Sequence, residues 1–206
     1  MSIVSAKQKI VFGRHSTGMI LTPKEFDAIE DYDENYCYEL INGVVVVSAV
    51  PLATERGPNE LLGHYLLSYQ EHHPHGSALD LTLPHEYVRT PKSRRIADRL
   101  IWTGLGRVPS SRNDVPTIAV EFVSKGKRNR ERDYIHKKRE YGKTGMKEYW
   151  IIDRFRRTMT VVSYKPKGAK EQIVPESDIY QTPLLPGFEL PLARILEAAD
   201  RLAKAR

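Results

Sequence analysis

Apolar residues recur along this chain with two rhythms. Leu61, Leu62, Tyr65, Leu66 and Tyr69 fall at helical spacing, and with Pro58 before them and Pro74 and Gly76 after them they predict an amphipathic helix over 58–72. The rhythm then shortens to that of strands, predicted at 78–83, 86–89, 96–102 and 117–123 with turn residues between them. A charged helical stretch over 129–143 ends at Gly145 and leads to strands at 148–153 and 158–164. A last amphipathic helix over 192–205 follows the proline-rich 183–191. Upstream, Thr22-Pro23-Lys24-Glu25 is a helix start, with Thr22 as cap and Pro23 at the first helical position. The runs 36–41 and 44–47 flank Asn42-Gly43, the pair favoured in a tight primed turn, and read as a β-hairpin. Residues 1–20 lack a clean period and are expected to be an arm or an extra strand. The order of helix, strands, helix, strands predicts an α/β (α+β) fold, a mixed central sheet flanked by helices, with 21–206 as one domain.

Two acids break the strand patterns. In Ile96-Ala97-Asp98-Arg99-Leu100-Ile101-Trp102, alternation puts Asp98 on the face of Ile96, Leu100 and Trp102. In Thr117-Ile118-Ala119-Val120-Glu121-Phe122-Val123, Glu121 interrupts a run that reads as buried on both sides. An unpaired carboxylate there costs several kcal/mol, roughly the desolvation penalty of a buried ion, so something positive belongs beside it. Two readings are open: a salt bridge to Arg99 or Lys137, or a shared divalent metal, for which hard oxygen ligands favour Mg²⁺ or Mn²⁺ over Zn²⁺.

Composition narrows the classes. No stretch of the 206 residues approaches a membrane span, and the N-terminal residues lack the apolar core of a signal peptide, so a cytoplasmic location is expected. The single cysteine, Cys37, has no partner for an internal disulfide. The net charge is +6, and the segment 125–139 alone sets eight basic residues (Lys125, Lys127, Arg128, Arg130, Arg132, Lys137, Lys138, Arg139) against Glu131 and Asp133. Such a run is either a solvated helix face or a surface for phosphates, and it makes nucleic acid the partner to consider. Other signals fail. The histidines at 72, 73 and 75 surround Pro74 at a helix end, Gly142-Lys143-Thr144 ends a helix instead of opening one, and Gly104-Leu105-Gly106 lacks the third glycine of a dinucleotide turn.

The run Tyr38-Glu39-Leu40-Ile41-Asn42-Gly43, then Ala97-Asp98-Arg99, then Val120-Glu121-Phe122-Val123-Ser124 resembles the Uma-two family of restriction endonucleases, in the PD-(D/E)XK nuclease superfamily. Asp133, Lys137 and Tyr141, spaced four apart, and Gly145-Met146-Lys147-Glu148-Tyr149-Trp150-Ile151-Ile152-Asp153 continue the likeness. The resemblance implies a restriction-endonuclease-like core behind an N-terminal hairpin. It implies metal-dependent hydrolysis of DNA, Mg²⁺ or Mn²⁺ as cofactor, and a homodimer. By it Asp98 and Glu121 are the metal-binding acids, with Glu39 a further acid of the site. This chain departs from the superfamily signature at Ala97, where proline is usual, and at Val123, where lysine is usual. The resemblance gives the missing lysine's task to Lys137, on one helix stripe with Asp133 and Tyr141. Lys125, Lys127, Arg128, Arg130 and Arg132 are then expected to hold the phosphate backbone. A module of the same fold that binds without cutting, or a phosphohydrolase of smaller substrates, remains the alternative.

Overall fold

The computed structural model describes residues 10–205, so residues 1–9 of the expected arm lie outside the described residues. The described residues form two compact units, one comprising 10–50 together with 90–95, the other 51–89 together with 96–205.

In the first unit β1 (Val11–Phe12) pairs in parallel with β2 (Asp31–Tyr32). Helix α1 (Pro23–Asp27) lies between them in sequence and starts as its cap signal predicts: the Glu25 amide donates to Thr22 Oγ1 at 3.2 Å, and the Thr22 amide donates to Glu25 Oε2 at 2.8 Å. The hairpin β3 (Tyr36–Ile41) and β4 (Val44–Ala49) closes on Asn42 (φ 50°) and Gly43 (φ 85°), the two positive angles that a primed turn needs. Its core is aromatic and aliphatic: Phe12 stacks on Tyr38 with centroids 5.1 Å apart and meets Phe26 at 5.4 Å, beside buried Leu40 and Val45. Leu40 also registers against Arg94, whose guanidinium reaches Asp27 at 2.7 Å.

The second unit opens with α2 (Ala53–His72). The helix begins five residues before the expected Pro58, because Glu55 Oε2 accepts from the Leu52 amide at 3.0 Å and caps an earlier turn. Pro58 is accommodated inside it. Strand β5 (Leu79–Arg89) is continuous where two short strands were expected, the turn signal at Pro84-His85 becoming a single left-handed residue, His85 at φ 51°. It pairs with β6 (Arg94–Thr103). Strand β7 (Ile118–Phe122) runs antiparallel to β6, with Arg99 opposite Val120 and Leu100 opposite Ala119. The crossover that follows comprises α3 (Lys127–Glu131), a π-helical stretch (Arg132–Lys137) and α4 (Lys138–Tyr141). It returns the chain to β8 (Glu148–Asp153), parallel to β7. Parallel neighbours require such a crossover, so the basic segment is placed over one face of the sheet.

β9 (Thr158–Lys165) and β10 (Gly168–Pro175) complete that side in antiparallel register. β10 was not expected from the sequence, since almost every side chain in it is exposed and the sheet imposes no apolar pattern on it. The short pair β11 (Ile179–Tyr180) and β12 (Leu190–Pro191) leads into α5 (Leu192–Lys204). One sheet face packs Ile118, Val120, Trp150 and Ile152 against Leu62 and Leu66 of α2 and Ile195 and Leu196 of α5. The other packs Ala119, Tyr149, Ile151 and Val162 against Tyr141 and Met146 from the crossover. With both faces covered, β7 and β8 are buried at every position, as parallel neighbours usually are.

Arg99 is buried on the α2 side and donates to Asn59 Oδ1 at 2.8 Å, to the Asn59 carbonyl at 3.0 Å and to Thr82 Oγ1 at 3.1 Å. It fits only because Gly63 has no side chain: a Cβ there meets Arg99 Nη2 at 2.6 Å. Gly63→Ala is therefore expected to destabilise the protein by about 1–3 kcal/mol through overpacking against a fixed guanidinium, read in a urea or thermal melt. An unchanged melt contradicts this account of the contact.

Candidate active site

The alternation that places Leu100 opposite Ala119 places Asp98, two residues before the one, and Glu121, two after the other, on the face covered by the crossover. Asp98 Oδ2 accepts from the Phe122 amide at 2.7 Å, which ties it to the strand that carries Glu121. Its own carbonyl accepts from Asn59 Nδ2 at 2.7 Å, so the Asn59–Arg99 cluster on α2's side fixes the backbone at this position.

The crossover stripe turns inward. Asp133, Lys137 and Tyr141 are all buried, and the first two lie in the π-helical stretch. Lys137 Nζ donates to Glu121 Oε1 at 2.7 Å and to the Ile96 carbonyl at 2.7 Å, while Tyr141 Oη donates to the same Glu121 oxygen at 3.2 Å. Asp133 pairs with Arg132 Nε at 2.8 Å, and its carbonyl accepts from Tyr149 Oη at 3.1 Å. The structure thus assembles Asp98, Glu121, Lys137, Asp133 and Tyr141 on one face. A wider helical turn of this kind re-aims side chains and recurs at functional sites.

Burial drives the electrostatics. It raises the Asp98 carboxyl to about 6, against the pull of Lys137 and of the Phe122 amide, with Asp133 and Glu55 adding repulsion. Burial raises Glu121 as well, opposed by Lys137 and reinforced by Asp98 and Asp133. Among the described residues, the three carboxylates of Asp98, Glu121 and Asp133 meet two cations here, Lys137 and Arg132. None of the hydrogen bonds just given uses Asp98 Oδ1 or Glu121 Oε2. Among the described residues no three His, Cys, Asp or Glu side chains converge closely enough to cage a metal. The donor set suits instead a hard divalent ion that would be held by two carboxylates and take oxygens from outside the protein as its other ligands.

Glu39 lies in the first unit, where its Oε1 is 3.6 Å from Arg95 Nε. Lys125, Lys127 and Arg128 are exposed at the start of the crossover, whereas Arg132 is held by Asp133 and Arg130 lies 3.7 Å from the buried Asp153. Two features were not legible in the sequence. Ser124 Oγ donates to Glu55 Oε1 at 2.6 Å, bringing an acid from the first turn of α2 into the field of Asp98. Asp153, with no exposed surface, gathers Arg130, Arg156 and Tyr134. Both join residues far apart in sequence, and neither makes a periodic signal.

The profile of the Uma2 family, described as "Putative restriction endonuclease", matches residues 23–193. The chain belongs to this family. A solved structure similar in fold is the crystal structure of a putative nuclease belonging to DUF820 from Anabaena variabilis. The two share a TM-score of 0.66 at 13% identity, over 87% of this chain and 99% of that one, a likeness that speaks for the fold. No curated protein matches the sequence. No helix among the described residues is long and apolar enough to cross a membrane.

Asp98→Asn keeps an acceptor for the Phe122 amide and removes the charge. In the metal-free protein the folded value near 6 lies above the ordinary 3.8, so the folded state binds more protons between them and stability falls as pH rises through that window. The substitution is therefore expected to raise stability by about 1–3 kcal/mol at pH 8, a gain that fades as pH drops from ~6 towards ~4. Melts in EDTA check this. Saturating Mg²⁺ should raise the wild-type midpoint and leave the variant's unmoved.

Proposed function

We propose that this protein is a metal-dependent endonuclease that hydrolyses phosphodiester bonds in DNA. The observation that carries the reading is Lys137. A lysine from the crossover reaches Glu121 at 2.7 Å on the face that also holds Asp98, supplying the charge absent at Val123. In this reading Asp98 and Glu121 hold Mg²⁺ or Mn²⁺. An ion held there would lower the pKa of a water and polarise a phosphate oxygen. Lys137 Nζ, held also by the Ile96 carbonyl, is poised to offset negative charge developing on the attacked phosphate. Tyr141 keeps Glu121 Oε1 in place and leaves the other oxygen for the ion. Exposed Lys125, Lys127 and Arg128, which directly follow β7, position the backbone without reading sequence. A homodimer, with one such site per protomer, belongs to the same reading.

One observation favours a non-cutting module of the same fold: Glu121 is raised by burial and already engaged by two donors, which weakens it as a ligand. Incubation with supercoiled plasmid and Mg²⁺, Mn²⁺ or EDTA separates the two. Metal-dependent nicking by wild type is expected, with losses of about a hundredfold to a thousandfold in Asp98→Asn and Lys137→Ala. DNA bound but left intact by wild type with every ion supports the module. Turnover of nucleotides and not of polymers points to a phosphohydrolase.

A further inference from the structure

The turn between β8 and β9, Arg154-Phe155-Arg156-Arg157, carries charge and aromatic surface that the site described above does not use. Asp153 builds the turn: its Oδ1 accepts from the amides of Phe155 at 2.9 Å and Arg156 at 3.1 Å. Its Oδ2 accepts from Tyr134 Oη at 3.3 Å and lies 3.7 Å from Arg130 and 3.8 Å from Arg156. Two guanidinium groups therefore share one carboxylate, and a positive charge is left over. Arg156 lies over the Tyr134 ring at 5.0 Å, and Arg154 stacks on Phe155 at 4.3 Å. Phe155 is nevertheless 39% exposed. Arg154 lies 4.0 Å from Asp200 as well, while Arg157 is bound to both Glu176 and Asp200 and serves the fold.

The position of this turn relative to the carboxylates follows from register. Glu121 is opposite Ile151, and Asp153 is two residues further along the same face of β8. Asp153, at the base of the turn, is therefore one strand over and about 7 Å along from Glu121, roughly two nucleotide rises, and Phe155 is two residues further on. Arg154 also lines a small notch with Glu55, Phe122 and Val123, next to the amide that binds Asp98.

Resting on the nuclease reading, we propose that this turn is a stacking platform for an unpaired base of the DNA strand being cut, flanked by phosphate contacts from Arg130 and Arg156. An exposed ring backed by a guanidinium accepts any base face, which duplex DNA does not offer because its bases are stacked inside. The substrate class is therefore DNA with a single-stranded stretch beside the scissile phosphate, such as a flap, bubble or overhang.

Anisotropy of a fluorescein-labelled single strand and of the matching blunt duplex, both in EDTA, tests this without relying on cleavage. Wild type is expected to prefer the single strand. Phe155→Ala should weaken that binding about tenfold while changing duplex binding little, and Phe155→Trp should restore it. Arg156→Ala should weaken both probes and lower the salt slope by about one charge. Because the Asp153 bonds run to main-chain amides, the turn should persist, and circular dichroism with thermal melts checks it. Phe155→Ala binding both probes as wild type does overturns the platform, as does wild type binding neither. Wild type that binds single strands through Phe155 yet leaves DNA intact with Mg²⁺ and with Mn²⁺ overturns only the nuclease reading.

Discussion

Glu121 and Lys137 meet 2.7 Å apart where both side chains are almost wholly withdrawn from water. Neither tolerates that position alone, since removing one partner of a buried pair typically costs about 3–5 kcal/mol. Much of the architecture follows from bringing them together. β7 is buried on both faces because the parallel pair with β8 needs a crossover, and the crossover is what carries Lys137 over the acid. The π-helical stretch keeps Asp133, Lys137 and Tyr141 on one inward stripe.

The pair does not neutralise its surroundings. Burial, with repulsion from Asp133 added, raises the Asp98 carboxyl to about 6, and burial with repulsion from Asp98 and Asp133 raises Glu121, so the folded protein holds an unfavourable concentration of acid at one end of the sheet. Strain of this kind is costly to stability and useful to chemistry, because an added cation relieves it. On the opposite face the Arg99–Asn59 cluster steadies the Asp98 backbone, and Gly63 leaves the room that the cluster needs. The site is thus positioned from both sides of the sheet.

Much of this was legible in the sequence, for definite reasons. Asn42-Gly43 admits few conformations, and the hairpin formed around it. Asp98 and Glu121 stood out because an acid in an apolar strand must find a partner, and the spacing of four between Asp133, Lys137 and Tyr141 made an inward stripe conceivable. Other features were not legible. Pro58 was read as a helix start, yet the capping carboxylate of Glu55 lies three residues before it. Strand β10 has no apolar pattern because its neighbours leave it wet. The Ser124–Glu55 and Asp153 contacts span 69 and up to 23 residues of sequence, beyond any local rhythm.

The central claim is that two strand acids, already served by a buried lysine, still want a divalent ion. Amide NMR spectra of the full chain titrated with Mn²⁺ test it most directly. Selective broadening of the Asp98, Glu121 and Phe122 signals at low Mn²⁺, abolished in Asp98→Asn, is the predicted result. Those signals persisting, or broadening centred on another part of the chain, would contradict the account.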